Sequence, residues 1–136
     1  PHIVSNNWVK PTFTSTNPIG IYLNFTRNTK VYNNTVLMNQ PNGTAISMGA
    51  QSNYQNNHIK NNIMMLLANN STGLCFDAAA GSSDSLDYNI YFKNNPAPNF
   101  VIMRAAGSDF LKSNFKGGNN LNFNSYYEDP LIVNYN

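Results

Sequence analysis

Reactive chemistry in this chain has to be assembled from few ionisable side chains. Six Asp and Glu, eight Lys and Arg, two His and one Cys are spread through 136 residues. Charged residues make up 10% of the chain, against ~25% in an average globular protein. Hydrolysis of a glycosidic bond needs two facing carboxylates roughly 5–9.5 Å apart. Glu128 and Asp129 are adjacent but lie near the C-terminus, where a turn role is expected. Calcium needs several converging oxygen ligands, and Asp77, Asp84 and Asp87 are close enough in sequence to offer them through one loop. Cys75 is the only cysteine, so an intrachain disulfide and a cysteine-ligated zinc site are both excluded. Between Leu74 and Phe76 it reads as a small strand residue rather than a catalytic thiol. His2 and His58 stand in no triad-like context, and no serine nucleophile motif is present. A softer signal is aromatic. Tyr22, Phe25, Tyr54, Tyr126 and Tyr127 can stack on sugar rings, although tyrosines also cover strand faces and loop bases.

Composition removes several other classes. Net charge is +2 with Lys and Arg scattered, so no basic track for a nucleic acid exists. The longest strongly apolar stretch, residues 63–68, is far too short to span a bilayer, and no membrane insertion is expected. Hydrophobic residues reach 41%, enough for a core. Polarity comes from amides and hydroxyls instead of charge: the chain holds 27 Asn. AT-rich codons would produce this excess, and so would an architecture that consumes asparagine. Asn-x-Ser/Thr sequons at Asn24, Asn42 and Asn70 follow by chance from so many asparagines.

The elements that must position these residues recur. Val4-Ser5-Asn6-Asn7-Trp8-Val9 matches Val31-Tyr32-Asn33-Asn34-Thr35-Val36 and Ile59-Lys60-Asn61-Asn62-Ile63-Met64. A fourth copy reads Leu86-Asp87-Tyr88-Asn89-Ile90-Tyr91. The second Asn falls at 7, 34, 62 and 89, in steps of 27, 28 and 27 residues, with an aliphatic residue always three places earlier. A second strip reads Gly20-Ile21-Tyr22-Leu23, Ala45-Ile46-Ser47-Met48 and Gly73-Leu74-Cys75-Phe76. Both strips alternate with period two, which marks strands. Turn formers separate them, and no segment carries a helical pattern with caps. A propeller blade needs ~40 residues; these units are too short. The spacing predicts an all-β solenoid, a parallel β-helix of about four coils of 27–28 residues. Asn7, Asn34, Asn62 and Asn89 are expected to form an inward hydrogen-bonded ladder, because Asn tolerates the left-handed turn between two strands. Val4, Val31, Ile59 and Leu86 should form one core column. Ile21, Ile46 and Leu74 should form another, with Leu23, Met48 and Phe76 beside it. Val36, Met64 and Tyr91 should also point inward.

With these repeats in hand, the sequence resembles the right-handed parallel β-helix superfamily of pectate-lyase-like repeat proteins. The residues that carry the resemblance are Lys30-Val31-Tyr32-Asn33-Asn34-Thr35-Val36 and His58-Ile59-Lys60-Asn61-Asn62-Ile63. The closing stretch Asp87-Tyr88-Asn89-Ile90-Tyr91-Phe92, followed after an irregular segment by Glu128-Asp129-Pro130-Leu131-Ile132-Val133-Asn134, resembles how such proteins end. The resemblance implies that Ile21, Ile46 and Leu74 lie on the first sheet of each coil, which usually forms a saccharide groove. Tyr22, Ser47 and Cys75 would then face outward, flanked by loops at 24–29, 49–57 and 77–84. It implies a polysaccharide or cell-surface glycan as partner and a secreted or cell-surface location, the periplasm included. Lyases of this fold use a calcium-binding carboxylate cluster or a neutralising cation plus a Lys or Arg base. Here the outward first-sheet positions carry no charge, so catalysis is expected upstream and no cofactor is expected within these coils, calcium entering only if Asp77, Asp84 and Asp87 converge. Carbohydrate contacts are expected at Tyr22, Arg27, Tyr54 and Asp77, with Lys30, His58, Lys60, Asp84 and Asp87 the other ionisable residues nearby. A non-catalytic structural or adhesin-type solenoid is the alternative, since this fold hosts both.

The repeat is expected to run through residues 1–95 and to give way over 96–136 to an irregular last coil and cap. Phe110, Leu111 and Phe115 are expected to pack across the open end, with Leu131-Ile132-Val133 returning to the body. Ile3 and Val4 begin inside a repeat, so further coils of the same protein, or an adjoining chain, are expected against that edge.

Overall fold

A chain that winds through successive sheets must change direction within one or two residues, and left-handed backbone at asparagine makes such corners at low cost. In the computed structural model, which describes residues 2–12, 15–49, 55–69, 71–78, 83–95, 97, 99–105, 107–116 and 121–130, this device recurs at four successive entries to one sheet. Asn6, Asn33, Asn61 and Tyr88 have φ of 58°, 56°, 57° and 56°. Each is followed by a ladder asparagine. The first asparagine of the pair therefore makes the bend, and the second makes the hydrogen bonds.

Three sheets result, and among the described residues there are strands but no helix. Sheet A contains β1 (Ile3–Ser5), β4 (Lys30–Tyr32), β7 (Gln55–Lys60) and β10 (Ser83–Asp87). Sheet B contains β2 (Trp8–Val9), β5 (Thr35–Met38), β8 (Ile63–Leu66), β11 (Ile90–Lys93) and β14 (Tyr126–Tyr127). Sheet C contains β3 (Ile19–Leu23), β6 (Thr44–Met48), β9 (Leu74–Ala78), β12 (Val101–Ala105) and β13 (Ser108–Leu111). Strand n pairs in parallel with strand n + 3 from β1 to β12, which is the connectivity of a β-solenoid. The chain from β1 to β10 makes three complete turns. Among the described strands only β13 runs antiparallel, folding back on β12 through Gly107 at φ 75°.

The ladder lies at the corner from sheet A to sheet B. Asn34 Oδ1 accepts from the Asn7 backbone N–H at 3.1 Å and from Asn7 Nδ2 at 2.9 Å. Asn62 Oδ1 accepts the same pair from Asn34, both at 3.0 Å. Asn89 Oδ1 accepts from Asn62 at 3.0 and 3.1 Å. Each Nδ2 also reaches a carbonyl one coil earlier: Asn34 to Val4, Asn62 to Val31 and Asn89 to Ile59, all at 2.9 Å. Asn34, Asn62 and Asn89 are buried, while Asn7 at the end of the column is exposed. The column continues one step beyond the four asparagines. Ser125 Oγ accepts from the Asn89 N–H at 3.0 Å, and β14 follows it on sheet B.

A similar corner leads into sheet A. Asn28 and Asn56 have φ of 54° and 56°, and the buried Thr29 and Asn57 follow them. The Thr29 N–H donates to Asn57 Oδ1 at 3.0 Å.

Core columns run along the axis. Val4, Val31, Ile59 and Leu86 are in register on sheet A. Val36, Met64 and Tyr91 are in register on sheet B and fully buried. On sheet C the expected register is corrected. Leu74 pairs with Thr44, and it is Phe76 that stands beside Ile46. The cause is the corner from sheet B, where a Cβ on Gly73 would lie 1.9 Å from the Gly43 carbonyl oxygen. Gly73 therefore stacks on Gly43, two residues out of step with the alignment on Gly20. Two consequences follow. Cys75 is fully buried in the core and not on the outer face, and Asp77 takes the outward place beside Ser47.

Closure at the C-terminal end uses aromatics. Phe110 and Phe115 are buried in the core cluster, and Phe115 meets Tyr91 edge-on with ring centroids 5.8 Å apart. Residues 131–136, with the Leu131-Ile132-Val133 segment, lie outside the described residues.

Removing a ladder side chain strands several buried donors and acceptors at once, each worth about 1–3 kcal/mol. Asn62→Ala is expected to lower unfolding free energy by about 3 kcal/mol or more, and Asn7→Ala by under about 1 kcal/mol, in urea titrations. Left-handed backbone costs a non-glycine, non-asparagine residue roughly 1 kcal/mol. Tyr88→Asn is therefore expected to raise stability by about 1 kcal/mol; a loss of stability would refute the assignment of the bend to this residue.

Candidate functional site: the outer face of sheet C

The corrected register assembles a row that alternation along single strands did not suggest. Tyr22 pairs with Ser47, Ser47 with Asp77, Asp77 with Arg104, and Arg104 with Asp109 across the antiparallel hairpin. Strands lie ~4.8 Å apart, so Tyr22 to Arg104 covers roughly 14 Å along the solenoid. Tyr22 is 53% exposed, Ser47 is buried, Asp77 is half-buried and Arg104 and Asp109 are exposed. These side chains face out because the residues before them face in. Ala45-Ile46 and Cys75-Phe76 are all in the core cluster, and a Cβ on Gly20 would collide with Val36 of sheet B and the Ala45 carbonyl.

An open cleft of about 380 Å³ adjoins one end of this row. It is lined by Asn17, Asn42, Thr44, Thr72, Gly73, Leu74, Val101, Arg104 and Asp109. Thr72 Oγ1 is hydrogen-bonded to Asn42 Oδ1. The cleft opens where β9 and β12 begin. Their described pairing starts only at Phe76 with Met103. Ahead of that point the two chains are tied from inside by Lys93. This ammonium is buried, in register with Leu66 and so with Met38. It donates to the Gly73 carbonyl at 2.7 Å and the Val101 carbonyl at 3.0 Å, and sits 5.4 Å from the Phe100 ring centroid. Burial lowers its pKa, with the Cys75 thiol acting in the opposite sense. Lys93 thus positions two cleft-lining residues without reaching the cleft.

Electrostatics at the row come from one ion pair and one neighbour. Arg104 Nε and Asp109 Oδ1 are 2.7 Å apart. Burial raises the Asp77 pKa, Arg104 opposes that rise and Asp109 adds to it. Arg104 is held above its ordinary value, first by the hydrogen bond to Asp109.

Of the residues expected from sequence, Tyr22 and Asp77 share this row. Arg27 is exposed on the connection between β3 and β4, outside it. Tyr54 lies outside the described residues, as does the Asp84 side chain. Asp87 is engaged elsewhere: its Oδ1 and Oδ2 accept from Asn124 N and Nδ2 at 2.7 and 2.8 Å, tying the last coil to β10. Burial tends to raise its pKa, but hydrogen bonds from Asn124 and Tyr88 and the charge of Lys60 bring it below the ordinary carboxylate value. Asp77 and Asp87 therefore sit on different sheets, and among the described residues no group of three His, Cys, Asp or Glu is placed to hold a metal ion. Arg104 and Asp109 escaped the sequence reading. The signal was present, since Met103 is inward in an apolar strand and its neighbour must face out, while Gly107 marks the hairpin that returns Asp109.

The chain matches no protein-family model, no curated protein and no solved structure.

Burial pushes the Cys75 thiol up to about 12, against the lowering effect of the Lys93 charge. A thiolate is the reactive form, so Cys75 is expected to resist alkylation in the folded protein and to react on denaturation. The raised value also has a pH consequence. Below pH ~9 the thiol is neutral in both states; above it the unfolded chain loses its proton first. Cys75 therefore contributes stability that drains away between about pH 9 and 12, and Cys75→Ala should flatten that part of the stability curve.

Proposed function

We propose that this chain is a carbohydrate-binding segment of a secreted or cell-surface β-helix protein of the right-handed, pectate-lyase-like kind, with the outer face of sheet C as its glycan surface. The observation that carries this reading is the in-register row Tyr22–Ser47–Asp77–Arg104 running into a cleft of amides and hydroxyls. Sugars are recognised by aromatic faces together with fixed polar groups that replace water at the hydroxyls. Tyr22 offers the face, and Asn17, Asn42, Thr44 and Thr72 offer the polar groups. The row lies on the sheet that follows the ladder corner by one strand, which is where β-helix polysaccharide enzymes carry their groove. The catalytic groups of such an enzyme would belong to coils upstream of Pro1, and those coils would pack on the edge formed by β1, β2 and β3.

A second reading, a non-catalytic structural or adhesin-type solenoid, draws on a different face. Trp8, Thr35, Ile63, Ile90 and Tyr126 are in register on the outside of sheet B. Trp8 and Tyr126 are 57% and 52% exposed. An apolar stripe of this kind suits packing against another protein surface.

The two readings separate on variants. Calorimetric titration with a panel of soluble oligosaccharides is expected to find binding that Tyr22→Ala weakens about tenfold, the loss of one stacking contact of roughly 1–1.5 kcal/mol, and that Trp8→Ala leaves unchanged. Sensitivity to Trp8 alone, or no binding across the panel, would favour the structural reading.

A further inference from the structure

We propose that the sheet C cleft selects uncharged glycans over uronate-containing ones, and that Asp109 sets this choice by occupying Arg104. The inference rests on the carbohydrate-binding reading of this face and names the class of sugar that the face takes.

The charges at the cleft decide the matter. Arg104 and Asp109 are its charged lining residues, 2.7 Å apart and each about half exposed. Together they cancel. Asp77 lies outside the cleft lining but stands next to Arg104 in register, a second carboxylate acting on the same guanidinium. These three groups sum to one negative charge at the surface; the Lys93 ammonium offsets it from beneath, where it is buried and held by the Gly73 and Val101 carbonyls. A uronate entering here would have to displace Asp109 from Arg104, and the Asp77 carboxylate would still stand beside that guanidinium. Like-charge juxtaposition of this kind is how interfaces reject wrong partners.

The remaining polar lining is uncharged. Asn17, Asn42, Thr44 and Thr72 carry donors and acceptors on short side chains, and Leu74 and Val101 add apolar patches between them. That mixture matches a ring with hydroxyls on its edges and C–H groups on its faces. It supplies no cation free of a carboxylate to hold a sugar acid.

Isosteric replacement of Asp109 by Asn tests the proposal. Asn keeps an oxygen that can accept from Arg104 Nε but removes the charge. Asp109 is exposed at the hairpin, so Asp109→Asn should fold with an unchanged thermal midpoint. The wild-type chain and Asp109→Asn would each be titrated with neutral tetrasaccharides (β-linked glucose, xylose and mannose) and with oligogalacturonate, at low and physiological salt. The wild type is expected to bind a neutral ligand with little salt dependence and to prefer it to oligogalacturonate by about tenfold or more. Asp109→Asn is expected to gain oligogalacturonate binding that physiological salt suppresses. A wild-type preference for oligogalacturonate, or no change in that preference in Asp109→Asn, would overturn the proposal while leaving carbohydrate binding intact. Failure of every sugar to bind either protein would remove the underlying reading and the proposal with it.

Discussion

One acceptor atom organises this molecule. The Oδ1 of Asn34, Asn62 and Asn89 each receives two hydrogen bonds from the preceding coil, one from a backbone N–H and one from Nδ2. Both donors can reach it only if the same corner recurs directly above itself, one strand spacing away. That requirement fixes the register of sheets A and B, whose strands leave the corner on either side. A slip of one residue would turn every core side chain to solvent, and it would also strand buried amides. Polar satisfaction and apolar burial therefore favour the same alignment, which gives a repetitive sequence a single way to coil. The bend that precedes each rung is a separate device. Tyr88 makes it in the fourth coil with the same φ as the three asparagines, so the left-handed turn tolerates another side chain where the hydrogen-bonding rung keeps Asn.

Sheet C lies farther from this constraint along each coil, and a different contact sets its register. Gly73 rests on the Gly43 carbonyl with no room for a Cβ, and the strands that follow inherit that alignment. Steric exclusion fixes this corner, whereas hydrogen bonding fixes the ladder. The difference has a functional side. The ladder controls how the chain coils, and the glycine stack controls which residues share the outer row of the proposed binding face.

This division explains what could be read from the sequence. A ladder rung needs one residue type at one position, so Asn7, Asn34, Asn62 and Asn89 were visible by spacing, and the aliphatic columns of sheet A followed. Ser125 was not, because it offers a hydroxyl in place of an amide and comes 36 residues after Asn89. The Thr29–Asn57 corner was hidden by its mixed composition. On sheet C the reading aligned Gly20 with Gly73 by similarity of the residues that follow. The contact that matters is between Gly43 and Gly73, a backbone approach with no pattern of its own in the sequence. The resulting two-residue error put Cys75 outside and hid the relation of Asp77 to Tyr22. Arg104 and Asp109 depend on a hairpin that departs from the repeat, so the 27-residue spacing does not point to them; only the local alternation after Met103 and the glycine at 107 do.

The same departure both ends the solenoid and builds the candidate site. A parallel sheet with an open edge invites pairing with another chain. On sheet C the chain meets this hazard by reversing through Gly107, so that β13 covers the edge of β12. The reversal brings Asp109 beside Arg104, closing one wall of the cleft. Beneath it, Lys93 takes a position that Met38 and Leu66 occupy in earlier coils, and its ammonium ties Gly73 to Val101 where strand pairing has not begun. Replacing an apolar core residue with a charged one is costly unless its hydrogen bonds are met; here two carbonyls take two of the three N–H donors and the Phe100 ring lies 5.4 Å away. The last coil thus trades regular packing for a gap between β9 and β12 that is held open at its mouth and pinned at its base. On sheet C the earlier strands pair from their first residues, Thr44 with Ile19 and with Leu74, and leave no such gap among the described residues. The site therefore forms at the junction where the repeat stops, with one wall from the coils, at Asn42, Thr44, Thr72, Gly73 and Leu74, and the other from the departing hairpin, at Val101, Arg104 and Asp109.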